Sequence, residues 1–281
     1  MSRRRGRWVA AIAATLIGVV LYARYVEPRR FEVTFLRVEG TPLADALAGL
    51  RFVALADVHV DRFGAKERDV LRRVRDLAPD YLLWLGDTVQ YYGPFDGALW
   101  MLAGARGRLG TYGVLGDADY SNSRGHCVLC HAPGRWTVRD DLPVRFLRDQ
   151  TVVIENRGRK AALVGVDPVL FTDAPEFGEA MAEARGLPTL VLSHYPRGLD
   201  DISRYPVELV LAGDTHGGQV WVPWPFSLLA YHATSRRFLK GWFEENGCRM
   251  YVSRGVGVSH LPVRLGVRPE IVVIDFGKPG R

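Results

Sequence analysis

The sequence has few cysteines, and its charges balance outside the N-terminus. Three cysteines in 281 residues are too few for the disulfide framework of a small secreted scaffold. Seven of the 37 basic and one of the 31 acidic residues lie within residues 1–30, so the rest carries 30 of each sign. A neutral body offers no basic surface to a polyanion, which argues against nucleic acid as a partner. Repeats, linkers and low-complexity tracts are also missing, so we expect one α/β domain at residues 31–281.

Residues 1–30 combine a basic start with an apolar run. Arg3, Arg4, Arg5 and Arg7 precede an uncharged stretch from residue 8 to 23, and Arg24 follows it. Sixteen helical residues span about 24 Å, slightly less than the roughly 30 Å of a bilayer core. We predict a single-pass membrane anchor that holds the domain on the extracytoplasmic side. A cleaved signal peptide is the alternative, although Leu21 stands where a small residue is preferred.

Short apolar runs, each ending in a polar cluster, predict buried strands. They lie at residues 52–56, 81–85, 111–115, 151–155, 161–166, 189–192, 207–212, 249–252 and 270–276. Helical spacing of apolar residues is found at 65–77, 95–106 and 174–185. Residues 31–50 are interpreted as an amphipathic lead-in. Strands that alternate with helices predict an α/β sheet fold with its functional groups at the strand ends.

Five of these runs are followed by aspartate or histidine, and in three of the five a glycine is adjacent. The residues are Asp57 and His59, then Asp87, then Asp117 and Asp119, then His194, and finally Asp214 and His216. Carboxylates and imidazoles that converge at one sheet edge suit one or two divalent cations in the range of manganese, iron or zinc. The series predicts a metal centre.

The order of these motifs resembles the calcineurin-like metallophosphoesterase superfamily. That family runs Asp-x-His, Gly-Asp, Gly-Asn-His-Asp/Glu, a lone His and Gly-His-x-His, and the resemblance covers roughly residues 50–276. The tail from Tyr251 to Glu270 and the segment Thr215-His-Gly-Gly-Gln resemble its membrane-anchored bacterial phosphodiesterase branch. The resemblance implies a four-layer α/β/β/α sandwich. It also implies hydrolysis of a phosphoester or pyrophosphate, in some relatives lipid-linked, by a metal-activated hydroxide.

Two divalent metal ions follow from the same resemblance. Carried over by motif position, the first is held by Asp57, His59, Asp87 and His216, and the second by Asp87, Asp117, His194 and Asp214. Gly217 and Gly218 are expected to keep the backbone close to the phosphate of the substrate. Asp87, as the bridging ligand, and Asp119 are the expected catalytic carboxylates.

Three positions depart from the family pattern. Asp117 replaces an asparagine and Asp214 replaces a histidine, which makes the second set richer in oxygen and favours Mn, Fe or Mg over Zn. Ala118 replaces the histidine credited with protonating the leaving group, a function typically worth about 10²–10⁴-fold in rate. We therefore expect a slowed or specialised hydrolase. The alternative is a weakened scaffold that serves as a membrane-bound haem, redox or sensor protein.

Residues 121–150 are interpreted as an insertion that contains Cys127-Val-Leu-Cys130-His131. This spacing attaches haem c covalently, because two thiols add to the vinyl groups while the histidine ligates iron. A disulfide between Cys127 and Cys130, or a zinc site with His126, remains open. Candidates for a further haem ligand are Met101, Met181, Met250, His232 and His260.

A few other residues have local interpretations. The Trp- and Pro-rich segment 221–226 is either a lip facing the bilayer or a loop packed on the core. Tyr91, Tyr92 and Asn122 lie near the metal motifs and can contact substrate, and Cys248 is expected to be buried.

Overall fold

The computed structural model describes residues 2–91, 94–120, 129, 142–167, 175–223, 226 and 236–277. The strands are β1 (Glu32–Val38), β2 (Arg51–Leu55), β3 (Tyr81–Leu85), β4 (Gly110–Val114), β5 (Arg145–Phe146), β6 (Gln150–Asn156), β7 (Arg159–Gly165), β8 (Thr189–Ser193), β9 (Leu209–Ala212), β10 (Gly241–Glu245), β11 (Cys248–Val252) and β12 (Glu270–Phe276). The α-helices are α1 (Ser2–Leu21), α2 (Pro42–Ala46), α3 (Ala65–Leu77), α4 (Asp96–Gly104), α5 (Pro175–Glu183) and α6 (Leu199–Ile202).

The strands form two six-stranded sheets. One has the order β1-β12-β2-β3-β4-β5 and the other β10-β11-β9-β8-β7-β6. Strands β2 to β5 run parallel, as do β11, β9, β8 and β7. Because parallel strands end at the same edge, the segments after β2, β3, β4, β8 and β9 can meet there.

Three apolar clusters fill the spaces between four layers. One lies between the sheets and includes Phe52, Leu83, Leu163 and Leu192. The second packs α3 and α4 against the first sheet, and the third packs α5 and α6 against the second sheet. The predicted α/β/β/α sandwich is confirmed.

Sequence pattern explains the central elements. All five residues of β3 are buried, as expected for a parallel strand covered on both faces. In α3, Val70, Leu71 and Val74 face the core while charged residues fill the rest of the surface. The Glu67 carboxylate accepts a 2.8 Å hydrogen bond from the Gly64 N–H and so caps the helix start.

Residues 31–50 differ from the prediction. They contain the strand β1 and the short helix α2, rather than an amphipathic lead-in alone. Exposed and less exposed residues are mixed along β1, and its partner β12 lies at the far end of the chain, so local sequence gave only a weak strand signal. The strand β10 was also missed, and its side chains alternate between exposed and half-buried. The predicted burial of Cys248 is confirmed.

The N-terminal helix is longer than the predicted apolar run. Helix α1 continues through a short π-helical and a 3₁₀ segment to Arg29. The 24 residues from Gly6 to Arg29 contain an 18-residue window with a mean hydropathy of 1.9 and are long and apolar enough to cross a membrane. Trp8 and Leu16 are exposed, whereas Glu27 is buried against the body of the protein.

Candidate active site

The first cluster of predicted ligands joins the ends of β2, β3 and β9. The Nε2 atoms of His59 and His216 lie 3.1 Å apart, and His59 Nε2 is 3.2 Å from Asp87 Oδ2. Both imidazoles are buried and nearly parallel, with ring centroids 5.0 Å apart. Asp57 is fully buried and its Oδ1 accepts a 2.9 Å hydrogen bond from the Asp214 N–H. His59 thus lies close to both His216 and Asp87, whereas Asp57 Oδ1 lies 3.9 Å from His194 Nδ1.

The second cluster surrounds His194, which follows β8. Its Nδ1 lies 2.9 Å from the Leu85 carbonyl oxygen, which can only accept, so Nδ1 carries a proton. Its Nε2 lies 3.4 Å from Asp117 Oδ1, 3.5 Å from Asp87 Oδ1 and 4.0 Å from Asp214 Oδ1. A histidine oriented by a backbone carbonyl and facing carboxylates has the arrangement typical of a metal ligand.

Asp87 is shared between the two clusters. Its Oδ2 faces His59, whereas its Oδ1 faces His194 and accepts a 2.9 Å hydrogen bond from the Ala118 N–H. One carboxylate thus presents one oxygen to each cluster, which is the geometry that a ligand bridging two cations requires.

Five of the seven predicted ligands have a left-handed backbone. Their φ angles are 50° for Asp57, 44° for His59, 52° for Asp87, 73° for Asp214 and 52° for His216. Such conformations are uncommon for residues with a side chain and concentrate at functional sites. The turns at the strand ends therefore orient these side chains toward the site at the cost of an unfavourable backbone conformation.

A glycine provides the room between the clusters. A Cβ on Gly86 would lie 2.5 Å from His194 Nδ1 and 2.8 Å from the Gly116 nitrogen, and its φ is +88°. Only glycine fits here, because the turns after β3 and β4 and the His194 ring approach one another closely.

Charge at the site is unbalanced toward the negative. Burial raises the pKa of Asp57 to about 7 and that of Asp214 to about 6. For Asp87, burial acts in the same direction, but His194 and His59 outweigh it and hold its pKa at about 2. The carboxylates raise the pKa of His194 well above its usual value despite its burial. The raised pKa values thus show that these side chains favour bound protons, and a metal cation at the same position would balance the same negative charge.

The donor set fits divalent metal ions. Asp57 Oδ2 and His194 Nε2 are buried and have no hydrogen-bond partner among the described residues. Buried carboxylate oxygens and imidazole nitrogens are rarely left without a partner unless a ligand uses them. Two overlapping groups have ligand atoms within 4.8 Å of one another: Asp57, Asp87 and His194, and Asp117, His194 and Asp214. Each group contains two carboxylates and one imidazole, donors that divalent cations accept.

Ala118 and Asp119 both lie beneath the site. Ala118 is fully buried, so no side chain from this position reaches substrate. Asp119 is also fully buried, and its oxygens accept hydrogen bonds from the Thr88, Val89 and Gly116 N–H groups at 2.9 to 3.1 Å. It ties the turn after β3 to the turn after β4. The predicted catalytic role of Asp119 stays a prediction, and its contacts give it a structural role.

The glycines after His216 have a different neighbour from the one expected. A Cβ on Gly217 would lie 2.8 Å from Arg254 Cγ and 3.0 Å from Val267 Cγ1. Its small size therefore allows the tail to pack behind the metal motif. Contact of Gly217 and Gly218 with a phosphate stays a prediction.

Arg264 was not singled out by sequence motifs, although it packs behind His216. This fully buried side chain donates 2.8 Å hydrogen bonds to the carbonyls of Gly257 and Arg254, and a longer one of 3.4 Å to that of His216. Burial lowers its pKa to about 10. Its backbone N–H also donates to the Ala23 carbonyl at 2.9 Å, so the same residue links the N-terminal helix to the site.

The pentapeptide with Cys127, Cys130 and His131 lies outside the described residues, as do Tyr92 and Asn122. Haem attachment, a disulfide and zinc binding therefore all stay predictions. A haem-stained gel and a Soret band that disappear in Cys127→Ser would establish attachment.

Comparison with known proteins supports a relation to phosphoester hydrolases. The chain is 26% identical to an uncharacterized metallophosphoesterase, YkuE, of Bacillus subtilis, over 95% of this chain and 93% of that protein. It is 28% identical to phosphodiesterase YaeI of Escherichia coli, over 97% and 98%. It is 23% identical to UDP-2,3-diacylglucosamine pyrophosphatase LpxG of Chlamydia muridarum, over 95% of each chain. No protein-family model matches.

Proposed function

We propose that this protein is a two-metal hydrolase of phosphodiesters or pyrophosphates. The observation that carries the proposal is the position of Asp87, whose two carboxylate oxygens lie 3.2 Å from His59 Nε2 and 3.5 Å from His194 Nε2. A pair of cations held by these residues would activate water and neutralise the oxygens of a phosphate. Similarity to metallophosphoesterases over nearly the whole chain supports the same chemistry.

The protein groups have separate tasks in this proposal. In the first cluster, the buried side chains of His59, His216 and Asp57 would hold one cation. In the second cluster, the Asp117 and Asp214 side chains are 37% and 33% exposed, so a substrate phosphate approaches from that side. Rigid strand ends hold both clusters, which reduces the reorganisation needed during reaction.

The decisive experiment combines metal analysis and turnover. The purified chain in detergent, supplied with Mn²⁺, should hydrolyse bis(p-nitrophenyl) phosphate and hold two equivalents of metal. Asp87→Ala should lose more than about 100-fold in kcat/KM, because a bridging ligand contributes more than outer-shell groups, which typically contribute 10–100-fold. Asp45→Ala, an exposed carboxylate on α2, is the matched control and should keep activity. Absence of both metal and turnover in the unaltered chain would refute the proposal.

We further propose that the substrate is carried by a membrane. The N-terminal helix ends against the tail through the hydrogen bond from Arg264 to Ala23. On the same tail, Leu261 is 67% exposed. Trp221 lies beside the tail, because its N–H donates to the Leu265 carbonyl, and it is 61% exposed. Exposed apolar side chains beside a membrane helix favour contact with lipid. Among the similar proteins, LpxG is named for a diacylglucosamine substrate.

The lipid proposal is tested by comparing substrates that differ in chain length. In Trp221→Ala/Leu261→Ala, hydrolysis of a long-chain diacyl phosphodiester in vesicles should fall about tenfold or more, since each buried aromatic or aliphatic side chain contributes about 1.5–3 kcal/mol. Hydrolysis of a water-soluble ester should not change. Trp100→Ala, at a tryptophan of α4 that is 66% exposed, is the control. Equal losses on both substrates would contradict a role in lipid contact.

A further inference from the structure

Ala118 leaves the candidate site without a histidine to protonate the leaving group. Four histidines lie in the described part of the chain, and three of them, His59, His194 and His216, belong to the two ligand clusters. The fourth, His260, is exposed and lies in the tail between Tyr251 and Glu270. Its position relative to the second cluster decides whether it can replace the missing group.

Gln219 holds the segment around His260 against the last metal motif. Its carboxamide oxygen accepts a 2.5 Å hydrogen bond from the Ser259 N–H, and its Nε2 donates 3.2 Å hydrogen bonds to the carbonyls of Ser259 and Leu261. Three hydrogen bonds from one side chain to both neighbours of His260 fix that residue relative to His216, which stands three positions before Gln219.

The His260 ring itself is held in place. Its Nδ1 lies 2.7 Å from the Ser259 hydroxyl, which leaves Nε2 as the nitrogen to meet a substrate. The backbone φ of 41° is left-handed, an uncommon conformation for a residue with a side chain. An exposed residue held in this way is pre-organised rather than loosely attached.

Tyr91 connects His260 to the second cluster. The ring centroids of the two residues are 5.7 Å apart, and the Tyr91 hydroxyl donates a hydrogen bond to Asp117 Oδ2. Asp117 in turn faces His194 Nε2. His260 therefore lies on the exposed side of the second cluster, where a phosphate would enter.

We propose that His260 is the general acid of the reaction and supplies the imidazole that position 118 lacks. This inference rests on the proposed phosphoester hydrolysis. Water forms the new P–O bond, the P–O bond to the leaving group breaks, and the leaving oxygen takes the proton from His260 Nε2. The proton released by water restores the imidazolium through solvent. Tyr91 and Gln219 are positioning residues, because they act through His260.

The test uses phosphodiesters that differ only in the leaving group, from p-nitrophenyl through phenyl to alkyl. In the Mn²⁺-supplied full chain, His260→Ala should lose about 10²–10⁴-fold in kcat/KM on the alkyl ester and less than about tenfold on the p-nitrophenyl ester, which needs no proton. The plot of log kcat/KM against leaving-group pKa should steepen. His260→Gln, which keeps a hydrogen-bond donor but cannot give up its proton, should behave like His260→Ala.

Controls separate this inference from the proposed function. Asp45→Ala, at an exposed carboxylate on α2, should leave the slope unchanged on these esters. Metal content of His260→Ala should equal that of the unaltered chain. A uniform loss across the series, or no loss, would overturn the role of His260 while p-nitrophenyl ester hydrolysis still supported the proposed function. Failure of the unaltered chain on every ester would refute the proposed function itself.

Discussion

The two ligand clusters share Asp87 but differ in burial and chemistry. In the first, His59 and His216 are each 5% exposed and stack against each other. In the second, Asp117 and Asp214 are about one-third exposed and flank a single buried histidine. The first is nitrogen-rich and closed, whereas the second is oxygen-rich and open to water.

This difference suggests separate tasks: the buried cluster would bind a cation tightly, and the exposed cluster would leave its cation accessible to water and substrate. A closed set of imidazoles binds borderline metals in fixed geometry, whereas exposed carboxylates suit harder cations that retain water. Under the proposed function, the carboxylates at residues 117 and 214 would serve as ligands of the second cluster and would favour a harder cation. Ala118 differs in kind, because it offers no ligand and no proton.

The largest expected effect comes from dismantling one cluster at a time. His216→Ala should lower kcat/KM by more than about 100-fold and remove one metal equivalent, because it takes a ligand from the closed cluster. Asp214→Ala should cost less, since water can replace one exposed carboxylate ligand. Elemental analysis and turnover measure both. An equal or larger loss in Asp214→Ala would contradict the assignment of the first cluster as the tighter one.

The raised pKa values predict how pH affects the chelator-treated protein. Asp57 and Asp214 have folded pKa values of about 7 and 6, above those of an unfolded chain, so folding is favoured when they are protonated. Their stabilising contribution is complete below about pH 4 and is lost as pH rises toward 7, at about 1.4 kcal/mol per pH unit for each titrating group. The lowered pKa of His216 opposes this trend.

Urea unfolding at pH 5 and pH 7.5 measures that dependence. The chelator-treated chain should be less stable at pH 7.5, and Mn²⁺ at 100 times its dissociation constant should restore about 2.7 kcal/mol. A chelator-treated chain that becomes more stable with rising pH would refute the charge imbalance proposed for the site.

Asp119→Asn tests the hydrogen bonds by which Asp119 joins the turns after β3 and β4 beneath the second cluster. The amide would turn a donor toward one of three N–H groups that the carboxylate now satisfies, which should cost about 1–3 kcal/mol in the free energy of unfolding. Asp76→Asn, at an exposed position of α3, is the control. If Asp119→Asn abolished turnover without changing stability, a direct catalytic role would be favoured.

The smallest effect is expected from changing the ligand type of the second cluster. Asp214→His replaces an oxygen ligand by a softer nitrogen, so the ratio of zinc to manganese affinity should rise about tenfold. Competition between the two metals, followed by elemental analysis, measures this ratio. An unchanged ratio would mean that residue 214 does not contribute to metal selection.

Sequence predicted the elements whose signal is local. The buried run of β3 and the periodic helix α3 have their predicted bounds, and each ligand motif follows a strand as expected. Strand β1 was missed because it pairs with β12, more than 200 residues away. The placement of His260 beside Tyr91 was equally invisible, since it depends on Gln219 joining two loops and on no short motif. Contacts between distant segments leave no periodicity in the sequence.

The left-handed backbone of the candidate ligands lowers the stability of the fold at the residues on which the proposed activity depends. Asp57, His59 and Asp87 would each be less strained as glycine, a residue that adopts positive φ without steric cost. Asp57→Gly would also remove a buried carboxylate with an unpartnered oxygen. Screening the chelator-treated protein for thermal stability should therefore select substitutions at the turns that carry the candidate ligands, and the most heat-resistant variants recovered should bind the least metal.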